Sequence, residues 1–262
     1  MMKTPVTYYG GKQRMARYIV PLLPMHNLYC EPFCGGAAIF FAKPKSAVEV
    51  LNDTNRELVN FYRVVQTDFG LLEREIQVTL HSRDLHSKAS VVYNRSDMFT
   101  PVQRAWALWV LSSQGFLGQI DGSWGYDVAK SQSPLKIQNK KNAFSLDLAI
   151  RLQDVQLECA DALYIIRSRD RVDSFFYCDP PYYNSDMGHY DGYSLSDFTE
   201  LLELLSNIKG TFMLSSYPSP VLAEYTARHG WHTRSFESKV SVAAKAGNQK
   251  TKTEVLTTNY SM

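Results

Sequence analysis

Short apolar runs, separated by turn-forming residues and by stretches with helical spacing, predict a chain that alternates between strands and helices. Near the N-terminus, apolar residues at 28–30 and 47–51 flank a glycine turn and a helix that starts at 37–41. The C-terminal half has the same kind of pattern, with an amphipathic helix at 195–208 between two strands. The strands predicted in this half are 155–159, 175–178, 211–214 and 254–260.

The region between these halves has a different pattern. From 57 to 150, apolar residues recur at helical spacing, and a polar segment rich in Gly, Ser and Trp lies at 112–127. Strands that alternate with helices favour an α/β fold, with a Rossmann-like sheet that is mixed but mostly parallel and has helices on both faces. We therefore predict a sheet domain of residues 1–56 and 151–262, interrupted by an inserted, mainly helical domain of residues 57–150.

The composition is that of a globular protein. The chain has 262 residues, of which 45% are hydrophobic, and this is enough to form a full-sized core. No apolar run approaches the ~18 residues that a membrane-spanning helix requires, and the N-terminus lacks the apolar core of a signal peptide. The four cysteines have no metal-binding spacing. We expect a soluble, cytoplasmic protein without a metal or a membrane partner.

The net charge of +2 is the sum of unevenly distributed charges. Residues 1–30 contain four basic residues and no acid, which gives a local charge of +4. Residues 228–252 contain six basic residues and one glutamate, which gives +5. If these two segments fold side by side, they form a basic surface suited to nucleic acid; the alternative is two solvated segments.

The segment Asp179-Pro180-Pro181-Tyr182 directly follows the predicted strand 175–178. In open α/β sheets, ligands bind at the carboxyl ends of the strands. Two prolines stiffen the turn and remove two N–H donors, so that carbonyl and carboxylate acceptors lie beside an aromatic ring. Asp179 and the carbonyl of Pro180 could hold the two hydrogens of a nucleobase amino group and direct its lone pair at an electrophile, while Tyr182 stacks on the base. The alternative is a strand-ending turn whose Asp caps a helix.

Other segments also follow strands or form turns. Glu31-Pro32-Phe33-Cys34-Gly35-Gly36 lies between a strand and a helix, where glycines let the backbone approach a ligand, but it lacks the G-x-G-x-x-G pattern of a phosphate-binding loop. Asp53 either binds a ribose diol or is a turn or N-cap residue before the next helix. Asp161 either accepts a hydrogen bond from an adenine amino group or caps a helix, and Tyr8-Tyr9-Gly10-Gly11-Lys12 either covers a ligand or is a plain turn.

In this order, these segments resemble the D12 class of adenine-N6-specific DNA methyltransferases, the group that includes the Dam methylases. The resemblance extends over nearly the whole chain and ends with Lys252-Thr253-Glu254-Val255-Leu256-Thr257-Thr258-Asn259-Tyr260, which is similar to the last strand of that class. It implies a methyltransferase sheet, S-adenosylmethionine as methyl donor, double-stranded DNA as partner, and a target-recognition domain at 57–150. The implied cofactor-binding residues are Tyr8, Lys12, Phe33, Gly35, Asp53, Asp161, Ala162 and Asp179, and the implied catalytic residues are Asp179, Pro180, Pro181 and Tyr182.

The reaction that this resemblance implies begins with flipping the target adenine out of the duplex. The sulfonium methyl group is then transferred directly to N6, without a metal or an enzyme nucleophile. N4 methylation of cytosine is an alternative, because the same acceptors suit any ring-conjugated amine. A non-catalytic DNA-binding relic of the family is an alternative of a different class. A cognate restriction endonuclease stays open as a partner, as do the recognition sequence and the oligomeric state.

Two positions depart from the family pattern. Ser112-Ser113-Gln114-Gly115-Phe116-Leu117-Gly118 occupies a place that usually holds an Asn-Arg pair, which leaves the recognised sequence open. Ala37 replaces a glycine of the F-x-G-x-G form, and we expect Gly35-Gly36 to supply the flexibility instead. The candidate DNA contacts are Arg95 and Gln114 for base edges, and Lys136 and Lys140 for phosphates. Because basic ends and an acidic remainder cancel in the net charge, we also expect DNA binding that weakens with salt.

Overall fold

The computed structural model describes residues 2–8, 10–184, 193–239 and 251–262. Within these ranges no helix is both long and apolar enough to cross a membrane. The strands there are β1 Leu28–Glu31, β2 Val48–Asn52, β3 Gln156–Glu158, β4 Ser174–Cys178, β5 Thr211–Ser216, β6 His232–Lys239 and β7 Thr251–Thr258. The α-helices are α1 Ala16–Ile19, α2 Ala38–Ala42, α3 Arg56–Thr67, α4 Phe69–Val78, α5 Arg83–Asn94, α6 Pro101–Gln114, α7 Ser133–Ala143, α8 Leu146–Leu152, α9 Ala162–Arg169, α10 Leu195–Ser206 and α11 Pro220–His229.

The strands form one sheet in the order β3-β2-β1-β4-β5-β7-β6. β2 pairs with β3 in parallel, and β4 pairs in parallel with both β1 and β5. In this register Tyr29 lies opposite Phe175, and Tyr177 lies opposite Met213. β7 is antiparallel to both β5 and β6. The predicted α/β class, with a mixed and mostly parallel Rossmann-like sheet, is confirmed.

β6 is a strand that the hydrophobic pattern does not predict. It lies at the edge of the sheet and pairs with β7. Most of its described side chains are exposed, and Phe236 is half-buried. An edge strand of this kind needs no continuous apolar run, because its stability comes from backbone pairing with one neighbour. The basic segment 228–252 overlaps this strand, and its residues 240–250 lie outside the described part of the chain.

The chain divides into two compact units. Unit 1 comprises residues 1–23 and 34–160, and unit 2 comprises residues 24–33 and 161–262. In unit 1, α3 packs against α6, and the buried side chains include Leu58 and Phe61 of α3 and Trp109 of α6. The region 57–150 is helical as predicted, from α3 to α8. Its status as a separate recognition domain stays a prediction, because unit 1 also contains β2 and β3.

Unit 2 is built on β1, β4 and β5. All three strands are buried over almost their full length. A parallel strand that is covered on both faces favours a continuous apolar run over strict alternation, as in Phe175-Phe176-Tyr177-Cys178. Because β1 and β4 are parallel, their carboxyl ends lie at the same edge of the unit. The segment that starts at Asp179 therefore begins at the ligand-binding edge of this part of the sheet.

Capping residues determine where several helices begin. The Thr100 hydroxyl accepts a hydrogen bond from the Gln103 amide, and the Gln103 side chain accepts one from the Thr100 amide. Pro101 occupies the first turn of the same helix, α6. α10 begins with the same reciprocal capping box, formed by Ser194 and Asp197.

Candidate active site

The backbone at Gly35 lies against an aromatic ring of unit 1. Gly35 has a φ of +45°, in the left-handed region that favours glycine. A Cβ atom at this position would lie only 3.1 Å from Cδ1 of Tyr8. The Tyr62 hydroxyl donates a hydrogen bond of 2.7 Å to the Gly35 carbonyl and so fixes the loop. Tyr8 and Gly35, both predicted to bind a cofactor, therefore lie in contact.

Ala37, which replaces a glycine of the family pattern, has a left-handed backbone conformation. Its φ of 51° and ψ of 41° are left-handed, and its side chain is fully buried. Gly35 supplies a left-handed residue in this turn, as expected, and Ala37 supplies a second one. A hydrogen bond of 2.6 Å from the Ala37 amide to the Cys34 carbonyl holds the turn. The methyl group is small enough for a conformation that a larger side chain tolerates poorly.

Asp53 follows β2 and binds the same loop. Its Oδ2 accepts a hydrogen bond of 2.9 Å from the Gly35 amide, and its Oδ1 accepts one of 2.9 Å from the Asn55 amide. Burial raises the pKa of Asp53, although the backbone hydrogen bonds act in the opposite direction. The cap of α3 is Asn55, whose Oδ1 accepts two amides of the first turn. Asp53 is therefore a turn residue before the helix, and Asn55, not Asp53, is the helix cap; ribose binding by Asp53 stays a prediction.

Two tyrosines and an amide adjoin this carboxylate. Nδ2 of Asn55 donates to the Tyr93 hydroxyl at 3.2 Å, and the Tyr8 phenol lies near Asp53. Burial raises the pKa of both phenols, and the nearby Asp53 raises it further. Both tyrosines are therefore neutral hydrogen-bonding groups at physiological pH. Neither Asn55 nor Tyr93 is among the residues predicted from the sequence. Asn55 has the signal of a helix cap, whereas no motif indicates Tyr93, because only the packing of unit 1 brings it close to Asn55.

Lys12 and Asn52 complete the polar residues of this region. The Lys12 side chain is buried, and its Nζ donates to the Gly10 carbonyl at 3.0 Å. Asn52 is fully buried at the end of β2. Its Nδ2 donates to the Ala160 carbonyl at 3.0 Å, and its Oδ1 accepts from the Ala160 amide at 2.9 Å. Unit 1 thus contains four of the predicted cofactor residues, Tyr8, Lys12, Gly35 and Asp53; Tyr9 of the same motif lies outside the described residues.

In unit 2, the turn after β4 brings Asp179 and Tyr182 together. The Tyr182 hydroxyl donates to Oδ1 of Asp179 at 3.2 Å and lies 2.9 Å from Oγ of Ser215, near the end of β5. A Tyr hydroxyl has one hydrogen, so Ser215 is the donor in the second contact. The Tyr182 ring also meets Tyr217 edge-on, with centroids 4.5 Å apart. The turn is thus fixed by side chains from the neighbouring strand.

Pro180 and Pro181 lie within this turn. Pro180 is buried, whereas Asp179, Pro181 and Tyr182 are half-buried and keep part of their surface accessible. Prolines have no amide hydrogen, so neither residue can donate to the Asp179 carboxylate. The turn therefore presents acceptors and one aromatic ring.

The other predicted residues of unit 2 have structural contacts as well. Oδ1 of Asp161 accepts a hydrogen bond of 2.9 Å from the Tyr164 amide and caps α9, whose first residue, Ala162, is buried. The cap interpretation of Asp161 is confirmed, and adenine binding through this residue stays a prediction. Phe33 is half-buried and meets the Tyr193 ring edge-on, at a centroid distance of 6.4 Å.

Three of the candidate DNA contacts have accessible side chains. Arg95 is exposed and follows α5, and Lys136 is exposed on α7. Lys140, also on α7, is half-buried, with its Nζ 3.5 Å from the Ser112 carbonyl. Burial, and then the nearby Lys136, lowers the pKa of Lys140 to about 8. Lys140 therefore begins to lose its positive charge within the pH range around 8.

Gln114 does not have the surface position that base reading requires. It is 2% exposed, and its Nε2 donates to the Leu80 carbonyl at 2.9 Å. Its Oε1 accepts from the Ser82 amide at 3.2 Å and from Nε1 of Trp124 at 3.3 Å. The side-chain amide is therefore used inside the protein, and we do not propose a base contact for Gln114. The described residues also include no group of three or more His, Cys, Asp or Glu side chains that could hold a metal ion.

Comparison with known proteins adds a family relationship. Residues 8–255 match the profile of the D12 class N6 adenine-specific DNA methyltransferases. The type II methyltransferase M1.LlaDCHI of Lactococcus lactis subsp. cremoris is 28% identical over 272 residues, covering 96% of this chain and 93% of that protein. The retron Ec67 DNA adenine methylase of Escherichia coli is 24% identical over 268 residues, covering 97% of this chain and 90% of that protein.

Proposed function

The chain belongs to the D12 class of N6 adenine-specific DNA methyltransferases, and we propose that residues around Asp53 in unit 1 bind the methyl donor while the turn at Asp179 in unit 2 holds the target adenine. The reaction is site-specific methylation of adenine in DNA, and S-adenosylmethionine is the methyl donor that the family implies. The observation that carries the residue assignment is the Asp179–Tyr182–Ser215 hydrogen-bond set at the carboxyl end of β4.

The residues of unit 1 fit S-adenosylmethionine. The backbone at Gly35 has no room for a side chain beside Tyr8, so the loop and the Tyr8 ring lie in direct contact. Each carboxylate oxygen of Asp53 accepts one amide and keeps a further lone pair, which suits the two hydroxyls of a ribose. The Lys12 ammonium and the Tyr8 phenol are suited to the charged amino-acid end. We therefore assign Tyr8, Lys12, Gly35 and Asp53 to cofactor binding, and extend the assignment to Phe33, Asp161 and Ala162 on the family pattern.

When bound, S-adenosylmethionine supplies a sulfonium methyl group that is already activated for transfer. The task left to this chain is to orient the acceptor nitrogen. The amino group of adenine is a poor nucleophile, because its lone pair is delocalised into the ring. We propose that the Asp179 carboxylate and the Pro180 carbonyl each accept one of its hydrogens, which directs the lone pair out of the ring plane. Asp179 is also placed to keep its hydrogen bond as positive charge develops on the nitrogen.

Flipping the adenine out of the duplex costs a few kcal/mol. Tyr182 offsets part of this cost, since stacking of a base on an aromatic ring contributes about 1–3 kcal/mol. The edge-on contact with Tyr217 and the hydrogen bonds to Asp179 and Ser215 hold the Tyr182 ring in one orientation before the base arrives. A preoriented ring loses less side-chain entropy on binding.

The substrate form and the partners are also proposals. We propose double-stranded DNA as the substrate, with Arg95, Lys136 and Lys140 as contacts of the recognition region. A cognate restriction endonuclease is proposed as a functional partner, on the ground that the relative M1.LlaDCHI is named a type II methyltransferase. The protein would then act in the cytoplasm, where its DNA is, and no metal is assigned to the reaction.

The Asp179→Ala substitution tests the acceptor assignment. We expect the turnover number to fall by at least about 10²-fold, as when a preorganised polar group at the reacting atom is removed. The unfolding midpoint should change little, because Asp179 lies on a half-buried turn. Methyl incorporation into duplex DNA and thermal unfolding measure these two quantities.

Asp173→Ala is the matched control, because Asp173 directly precedes the amino end of the same strand, β4, and its side chain bonds to Arg171. This variant should keep its activity. Wild-type turnover in the Asp179→Ala enzyme, or an equal loss in the Asp173→Ala enzyme, would refute the assignment.

A further inference from the structure

Three aromatic rings stack in a row on unit 1. The His81 and Trp124 centroids are 4.8 Å apart at an interplanar angle of 28°, and the Trp124 and Tyr126 centroids are 5.6 Å apart at 17°. The guanidinium of Arg83 lies over the same rings, 4.8 Å from the Trp124 centroid and 5.5 Å from that of Tyr126. We call these four residues the Arg83 stack. None of them belongs to the sites described above.

Hydrogen bonds from the interior hold the Arg83 stack in place. The buried Gln114 accepts from the Ser82 amide and from Nε1 of Trp124, on either side of the stack. Nε2 of His81 lies 3.0 Å from the Gly125 carbonyl, and the Gly125 amide donates to the Gln114 carbonyl at 2.8 Å. The structure thus fixes both chain segments that carry the stack, 81–83 and 124–126.

Arg83 is exposed at the start of α5. Among the described residues it forms no ion pair. The adjacent Asp84 pairs with Lys88 at 2.8 Å, and Asp127 accepts hydrogen bonds from Gln132 and Ser133. The guanidinium face is occupied by the rings, so that its N–H edges are the part available to a ligand.

We propose that Arg83 binds a phosphate of the DNA backbone, and that the ring stack and Gln114 position it for this contact. The proposal rests on the proposed function only in taking duplex DNA as the substrate. An arginine held flat on aromatic faces offers a planar set of donors that matches a phosphate, and it has less conformational freedom to lose. The Trp124 ring is contacted by Arg83, His81 and Tyr126, which disfavours stacking of a base on it. Arg83 is also the first residue of α5, where the helix dipole favours an anion.

Equilibrium binding of Arg83→Gln to duplex DNA over about 50–200 mM salt tests this proposal. Loss of one phosphate contact should reduce the slope of log K against log salt by about 0.9, and should weaken binding about eightfold at 0.1 M salt. The loss should be equal for a duplex that contains the methylated site and for one that lacks it. The methylation rate at saturating DNA should stay at the wild-type value.

Two further variants distinguish a specific contact by Arg83 from the effect of any positive charge on this surface. Lys88→Gln removes one positive charge from the same helix, but Lys88 is paired with Asp84, so the salt slope should change by much less than 0.9. Trp124→Leu keeps the Arg83 charge but removes the ring that the guanidinium lies over. The affinity for duplex DNA should therefore fall, while the slope of log K against log salt should stay nearly the same.

An unchanged salt slope in Arg83→Gln would overturn the proposal, as would an equal slope change in Lys88→Gln. A loss restricted to the site-containing duplex would show base reading, which also overturns the phosphate assignment. Because DNA binding is measured without methyl transfer, these results are independent of whether the Asp179 assignment holds.

Discussion

Gly35 contacts three residues of unit 1, and two of them, Asp53 and Tyr8, are residues that we propose bind the cofactor. Its amide binds Asp53, its carbonyl binds Tyr62, and its missing side chain leaves room for the Tyr8 ring. These contacts bring the Asp53 carboxylate and the Tyr8 phenol to the same short stretch of backbone. Gly35 thus has two properties that can be tested separately: its contact with Tyr8 and its left-handed backbone conformation.

The Gly35→Ala variant tests this distinction. The left-handed φ of +45° costs roughly 1–2 kcal/mol for a residue with a Cβ. The methyl group must also displace the Tyr8 ring by a few tenths of an ångström from its 3.1 Å position. We expect calorimetry to show weaker binding of S-adenosylmethionine, by about tenfold or more, since a shift worth 1.4 kcal/mol changes an equilibrium constant tenfold.

Gly230→Ala is the control for this prediction. Gly230 has a φ of +64°, and a Cβ atom added to it would have no heavy atom within 4 Å. Thermal unfolding should show that Gly230→Ala loses about as much stability as the left-handed φ costs in Gly35→Ala. Its affinity for S-adenosylmethionine should be unchanged. Equal cofactor affinity in Gly35→Ala and Gly230→Ala would show that the contact with Tyr8 has no part in binding.

Some site residues can be predicted from the sequence alone, and others cannot. Asp53 and Asp179 follow strands whose apolar runs are clear, and both lie at strand ends in the structure. Gln114 is a reasonable base-reading candidate by residue type, but only the packing around Leu80 and Trp124 shows that its amide is used internally. Tyr93 is inaccessible to pattern analysis because its partner, Asn55, is distant in sequence.

At the level of elements, a buried ion network joins β2, α2 and α8 in unit 1. Glu49 of β2 is 2% exposed, and it pairs with Lys43 at 2.5 Å and with Arg151 of α8 through both carboxylate oxygens. Burial by itself raises the pKa of Glu49, but hydrogen bonds from Arg151 and Lys43 outweigh it, so that the pKa lies below its ordinary value. The ionised form is therefore the one that stabilises the fold.

Glu49→Gln should lower the free energy of unfolding by about 3–5 kcal/mol, because it leaves two buried cations without their counter-charge. In the wild type, this stabilisation is present above the unfolded-state pKa of Glu, near 4.5, and is lost as the pH falls below it. Denaturant unfolding at neutral and acidic pH measures both effects.

Asp154→Asn is the comparison variant, since Asp154 forms an exposed ion pair with Lys45. It should cost less than about 1 kcal/mol. If Glu49→Gln cost no more than Asp154→Asn, the network would have no special role in joining the three elements.

Elements differ in how well their sequence predicts them. Strands such as β4 and β5 are buried and carry continuous apolar runs, so the pattern locates them within a residue or two. β6 has mostly polar, exposed residues and is stabilised by its pairing with β7, which no local pattern encodes. The helix starts at Thr100 and Ser194 carry capping boxes, a local signal that can be read directly.

For the whole molecule, the α/β class follows from the alternation of elements, whereas the division into units does not. Unit 1 combines the N-terminal segment, β2, β3 and the helices α3–α8, because these share one set of buried contacts. A boundary drawn from changes in periodicity at 57 and 150 therefore differs from the division by packing. The predicted surface formed by the two basic ends stays a prediction, since part of the second segment lies outside the described residues.

The central claim for the molecule is that it places a methyl group on N6 of adenine through the turn at Asp179. Mass spectrometry of nucleosides, after incubation of duplex DNA with wild-type protein and isotope-labelled S-adenosylmethionine, tests it most directly. We expect labelled N6-methyladenine from the wild type, and at least about 10²-fold less from Asp179→Ala. Labelled N4-methylcytosine, no labelled base with the wild type, or undiminished N6-methyladenine from Asp179→Ala would contradict it.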